Sequence, residues 1–154
     1  MMNEMLDTLL KDIDYKATAD NVDDFFRKRV PMLQRLSNDN DLLHIPSQNL
    51  DGMPAFHDNR NRAGDRIDRV LEADHVCREV ADTIRRCSKM TQDILINRYV
   101  RNKLDRHVAG VIGYQDTQYT KYKRRALNEF ADRFELSLCW QDLHIYKKCD
   151  SSAI

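Results

Sequence analysis

The stretch "VAGVIGYQDTQYTKYKRRALNEFADRF", residues 108–134, decides how this chain is read. It is basic, rich in tyrosine, and its apolar residues recur three and four apart. At that spacing Tyr119, Tyr122, Ala126, Phe130 and Phe134 share the inward side of a helix. Gln118, Lys121 and Arg125 lie along another side, with Thr117, Thr120 and Arg124 beside them. Upstream, Gly113 interrupts the pattern, and a tight turn between helices favours a residue that accepts positive φ. The stretch predicts a short helix over 105–112, a turn at Gly113, and a long helix over 116–134.

The turn fits a more specific pattern. In a twenty-residue window that starts at Asp105, Ala109 is fifth and Gly113 ninth. Val108, Ile112, Tyr114, Tyr119 and Tyr122 fill the fourth, eighth, tenth, fifteenth and eighteenth places. Ala109 is small where the second helix crosses closest, Gly113 turns, and the other five are the side chains two helices bury against each other. This is the pattern of a DNA-binding helix-turn-helix. Polar and basic groups near the start of its second helix reach base edges in the major groove. Lys123, Arg124 and Arg125 suit phosphates, which supply most of the affinity. The candidate contact set is Gln115, Asp116, Thr117, Gln118, Thr120, Lys121, Lys123, Arg124 and Arg125. The competing reading is a solvated helix face.

Working outward, the chain of 154 residues is 42% apolar and 32% charged, with only 4 Gly and 3 Pro. That mix predicts an all-α fold, because a sandwich or barrel needs more turn residues. Net charge is zero, yet residues 1–87 hold 13 Lys+Arg against 17 Asp+Glu and residues 88–154 hold 12 against 8. The excess moves from −4 to +4, compatible with a local phosphate-binding face in the second half. No apolar run approaches the roughly 20 residues of a membrane span. With no secretory signal, the four cysteines are expected as reduced thiols in a cytoplasm.

Four segments follow. Residues 1–36 read as an N-terminal helical arm: a short helix over 1–14, then one from near Asn21 with the stripe Val22, Phe25, Phe26, Val30, Leu33 and Leu36. Pro31 inside it predicts a kink or break. Residues 37–62, including "NDNDLLHIPSQNLDGMPAFHDNRNR", read as a linker loop, with Met53 and Phe56 tucked against a helix. Residues 63–136 read as the helix-turn-helix domain, with a helix from Ala63 carrying Ile67, Val70, Leu71, Val80, Ala81 and Ile84. Another helix is N-capped by Ser88 and carries Ile94, Leu95 and Tyr99 before "RNK" at 101–103 breaks it. Residues 137–154 read as a tail, extended or winged, that docks.

Chemistry beyond binding is sparse. Cys139, His144 and Cys149 invite a zinc reading, but a fourth ligand and any CxxC pair are missing. The Asn- and Asp-rich loop lacks EF-hand spacing. His57 and His107 are expected on the surface, and His107 near a phosphate when protonated. No nucleophile–base or paired-carboxylate spacing stands out, so neither catalysis nor a cofactor is expected.

The segments "TQDILINRYV" at 91–100 and "VAGVIGYQDTQYTKYKRRAL" at 108–127 resemble the promoter-reading C-terminal domain (region four) of bacterial sigma factors. With "NLDGMP" at 49–54, "ILINRY" at 94–99 and "FADRF" at 130–134, the chain looks like the ArpU family, phage and prophage transcriptional regulators of Gram-positive bacteria. The resemblance implies regulation of phage late genes or host autolysin export by binding double-stranded DNA. It also implies contacts from Asp116, Thr117, Thr120 and Lys121. The sequence departs from the sigma pattern at Asp116, where a basic residue is frequent. An acid there accepts from cytosine N4 or complements the helix N-terminus. Two alternatives stand beside a DNA-reading regulator: a protein that binds RNA polymerase through the sigma-like fold, and a DNA-packaging accessory subunit. The N-terminal stripes serve either a homodimer or packing on the C-terminal helices.

Overall fold

Asp14 starts the first helix. Its side chain accepts a hydrogen bond from the Ala17 amide at 3.0 Å, which satisfies one of the orphan donors of a helix start. From there the computed structural model, which describes residues 12–37, 60–137 and 141–148, is mostly helical. Helix α1 spans Tyr15–Asp24, a π turn spans Phe25–Arg29, and α2 spans Val30–Ser37. These run on as one rod. Then come α3 (Arg60–Arg86), α4 (Lys89–Leu95), a second π turn (Ile96–Val100), α5 (Asp105–Ile112) and α6 (Asp116–Glu135). Among the described residues there is no strand, only one antiparallel bridge between Ile13 and Tyr146. The fold is all-α.

Several expectations change here. The helix placed near Asn21 begins at Tyr15, because Asp14 caps it. The helix expected over 1–14 lies outside the described residues up to Lys11, and Ile13 is extended rather than helical. Pro31 does not break the rod. Proline lacks an N–H and its ring crowds the carbonyl four residues back. Here the preceding turn is wide: the Val30 amide donates to the Phe25 carbonyl, five residues back. That extra residue gives Pro31 room. The loop expected over 37–62 is helical at Ser37 and from Arg60. Residues 38–59, including Met53, Phe56 and His57, lie outside the described residues, as do Cys139 and Cys149.

Two apolar clusters share α6. Around its second half gather Val22, Phe25 and Phe26 from the first rod, Val80 and Ile84 from α3, Leu95, and Leu143 of the tail. Rings interlock: Phe26 and Phe130 centroids are 4.6 Å apart, Phe25 and Phe134 5.5 Å, and Phe26 stacks on Tyr99 at 4.8 Å. Such contacts add to burial itself. The first half of α6 packs Tyr119 and Ala126 on Ile94, Val108 and Ala109, flanked by Met90, Ile112 and Tyr122. The stripe Val22, Phe25, Phe26 and Val30 is therefore used inside the chain, against α3 and α6. Leu36, Ile67 and Leu71, expected on inward stripes, are exposed.

Residues 141–148 form the extended docking segment the tail pattern allowed. The Ile145 carbonyl accepts from the Asp14 amide at 2.8 Å, its amide donates to Thr18 Oγ1 at 3.0 Å, and Asn21 donates to the Leu143 carbonyl at 2.8 Å. This strap fixes the start of α1.

Candidate nucleic-acid interface

Gly113 makes the turn before α6 with φ of +85°. Its amide and that of Tyr114 both donate to the Ala109 carbonyl, at 2.9 and 3.0 Å. A Cβ there would meet nothing within 4 Å, so the backbone angle, not space, calls for glycine. Ala109 and Val108 are buried where α5 meets α6. Helix α5 ends at Ile112 as its spacing predicts, and α6 starts at Asp116.

Helix α6 is divided along its length. In its first half Gln115, Asp116, Thr117, Gln118, Thr120, Lys121, Arg124 and Arg125 are exposed. Thr117, Lys121 and Arg124 stand four and three residues apart, so they form one line, with Gln118 and Arg125 alongside. Lys121 and Arg124 have no ion pair among the described residues. The Arg125 guanidinium lies 5.8 Å from the Tyr122 ring centroid. Thr120 donates its hydroxyl back to the Asp116 carbonyl at 2.9 Å. Asp116 sits in the first turn, where a carboxylate complements the helix dipole, and Gln115 at the cap position makes no side-chain cap. The next residue on the Thr117 line, Asn128, is covered: its amide donates to the Tyr15 carbonyl at 3.0 Å.

Lys123 departs from its expected role. It is largely withdrawn, its Nζ 3.1 Å from Asp105 Oδ1 and 3.9 Å from Asp23 Oδ1. The same Asp105 carboxylate accepts from the Tyr119 hydroxyl at 2.8 Å. Arg98 Nε lies 3.1 Å away but too oblique for a hydrogen bond, so that contact is ionic. Burial alone would push the Asp105 carboxyl up. The bonds from Tyr119 and Lys123 and the charges of Lys123 and Arg98 outweigh it and hold the group below its ordinary range. Asp23 in turn accepts from the Tyr99 hydroxyl at 2.5 Å. Burial, then this bond to Asp23, pushes the Tyr99 phenol far above its ordinary value. Spacing within α6 gave no sign of this network. Its signal was the Arg98–Tyr99 pair and the acid at the head of the twenty-residue window.

A second tie crosses the site. Glu129 accepts from the Ser88 amide at 2.8 Å, the Ser88 hydroxyl at 2.9 Å and the Thr91 hydroxyl at 2.5 Å. Ser88 does hold the cap position of α4, but its own side chain does not cap. Glu129 of α6 serves that end instead. His107 is exposed on α5, as expected.

His144 is buried, with Nδ1 2.6 Å from Asp142 Oδ1 and Nε2 2.6 Å from Asp132 Oδ1. Glu135 Oε2 is 3.4 Å from Nδ1. Glu135, Asp142 and His144 are grouped closely enough for a metal, and both ring nitrogens already face carboxylates at hydrogen-bond distance. Among the described residues no helix is long and apolar enough to cross a membrane. No protein-family model, curated protein or solved structure matches the chain.

Proposed function

We propose that this protein is a sequence-reading DNA-binding regulator of transcription, of phage late genes or host autolysin-related genes, as its likeness to the ArpU family implies. In this reading α6 enters the major groove of double-stranded DNA with Thr117, Gln118 and Lys121 toward base edges. Arg124 and Arg125 meet phosphates. The observation that carries the reading is the division of α6. Its first half keeps an exposed polar and basic line while the opposite side is locked onto α4 and α5. A recognition helix needs that combination of a rigid back and an open front.

Fluorescence anisotropy against fragments tiled across the protein's own late-gene region, at two salt concentrations, tests it. One fragment bound far above the rest, with affinity falling steeply in salt, is the expected result. Uniform or absent binding defeats it.

A second reading, docking to RNA polymerase, is favoured by a separate feature. An open groove of about 620 Å³ lies between α4, the second π turn and the end of α5. Met90, Val111, Ile112 and Tyr114 line it together with Lys89 and Arg101. Val111 is 61% exposed there. Retention of polymerase by the protein, lost in Val111→Glu, supports that reading.

A further inference from the structure

We infer that the start of α1, Tyr15 with Lys16, is a second DNA contact that meets the sugar–phosphate strand bordering the groove entered by α6. The inference rests on the DNA-binding reading above and adds a contact from outside the helix-turn-helix.

The argument begins with the line Thr117, Lys121, Arg124, Asn128 along α6. A helix rises about 1.5 Å per residue, so Asn128 lies about 10 Å beyond Lys121. The major groove is about 12 Å wide. A helix that enters the groove by its N-terminal end, with its first turns over base edges, therefore brings whatever covers it about 10 Å further on against the groove wall. What covers it is known: the Tyr15 carbonyl accepts the Asn128 amide at 3.0 Å.

Tyr15 itself is out of place for a packing residue. It stands on the same stripe of α1 as Ala19, Val22 and Phe26, four, seven and eleven residues on, and those three are buried. Tyr15 is 63% exposed although its carbonyl meets Asn128 of α6. An aromatic body with a hydroxyl donor at its tip suits a phosphate oxygen. Lys16 is exposed next to it and has no ion pair among the described residues, whereas Asp12 pairs with Lys147 at 3.4 Å and Asp14 is used as the cap. The position is rigid. The strap from residues 141–148 holds this end of α1 through Asp14, Thr18 and Asn21. Ordering cost on binding is therefore small, as it would not be for a loose arm.

The test is anisotropy with the full chain and the best-bound fragment from the tiling, over a salt series, for Lys16→Ala, Tyr15→Phe, Arg124→Ala and, as control, Lys28→Ala in the π turn, about three helical turns along the rod. Lys16→Ala is expected to weaken binding several-fold on any sequence and to reduce the salt slope by about one. Tyr15→Phe, which removes only the hydroxyl, should weaken binding with the slope kept, and Lys28→Ala should change neither. Unchanged affinity and slope in both Lys16→Ala and Tyr15→Phe, beside a weakened Arg124→Ala, overturns the inference and leaves the DNA reading standing. Failure of the unaltered protein to bind any fragment at low salt overturns both.

Discussion

Lys123 Nζ lies 3.1 Å from Asp105 Oδ1, joining the middle of α6 to the start of α5. The lysine is only 19% exposed while its partner is 47% exposed. The pair is thus a partly screened ion pair with a hydrogen-bonded core, and the next residue, Arg124, behaves differently. Lys123→Met, which keeps the apolar stem, is expected to lower stability by about 1 kcal/mol, because solvent at Asp105 discounts the charge term. Arg124→Ala should stay within about 0.5 kcal/mol of the unaltered protein, as exposed sites do. Urea titration of both variants checks this. Equal losses would mean that Lys123 is not engaged as its geometry requires.

On DNA the contrast moves to Lys121. Lys121→Ala is expected to weaken the specific fragment more than random DNA, because the proposed DNA-reading role sets its place near the start of α6 over base edges. Arg124→Ala should weaken both alike and flatten the salt dependence by about one phosphate. The ratio of specific to random affinity, measured for each variant, separates reading from anchoring. Identical ratios for the two variants defeat this division of roles.

Glycines 110 and 113 give a pair of opposite outcomes. Gly113 adopts φ of +85°, so Gly113→Ala should cost about 1 kcal/mol through backbone strain alone. Gly110 lies inside α5, and an added Cβ meets nothing within 4 Å. Gly110→Ala should stabilise by about 0.5–1 kcal/mol, since alanine loses less backbone freedom in a helix. Thermal melts of the two variants, moving in opposite directions, are the expected result.

What the sequence made legible follows the range of the forces involved. The limits of α5, the turn at Gly113 and the start of α6 rest on local chemistry, and spacing alone located them to within a residue. The inward faces of Tyr119, Ala126, Phe130 and Phe134 follow from helical periodicity and an apolar core. Asp14 as a cap and the wide turn that accommodates Pro31 are local too, but several carboxylates in this region could cap and the register of hydrogen bonding leaves no mark in composition. The withdrawal of Lys123 is hidden for a different reason. Its angular place on α6 is at the edge between faces, and only Asp105, eighteen residues earlier, draws it inward. The covering of Asn128 by Tyr15 joins positions 113 apart, and no pattern within a helix carries that information.

Glu129 should matter more than its surface position implies. Three donors on α4 and its cap converge on one carboxylate. Burial would raise its carboxyl. The bonds from Thr91, Ser88 and Arg133 overcome that and hold it below its ordinary value of 4.5. Glu129→Ala leaves the Ser88 amide without this partner and is expected to cost about 1–3 kcal/mol. Glu129→Gln should recover part of the loss, because the amide oxygen still accepts one or two of the bonds. A depressed carboxyl stabilises above its unfolded value, so this contribution persists at neutral pH and fades as pH falls through the folded value. Denaturation at neutral pH and again in the acid range, for both variants, reads the effect directly.

The tail strap should respond to pH from the other side. To donate to Asp142 and Asp132 at once, the His144 ring must carry both protons. Burial alone would lower its pKa. The bonds and charges of Asp132 and Asp142 outweigh burial and raise it above the ordinary 6.5, with Glu135 adding a third carboxylate at 3.4 Å. A raised value means that the folded state holds the proton more tightly than the unfolded chain. The stabilisation is therefore complete below 6.5 and is lost as pH rises through the higher folded value. Asp142 titrates oppositely, with its carboxyl held below 3.8, so the strap survives mild acid and loosens as pH rises through the folded histidine value. The Ile145 amide, which donates to Thr18 Oγ1, is the local reporter. Its hydrogen exchange, corrected for the intrinsic rate, should accelerate as pH rises through the folded value. His144→Gln, which cannot gain the second proton, should start less protected and show no such step. A step of equal size in His144→Gln would assign the pH dependence to another group and remove the histidine from the latch.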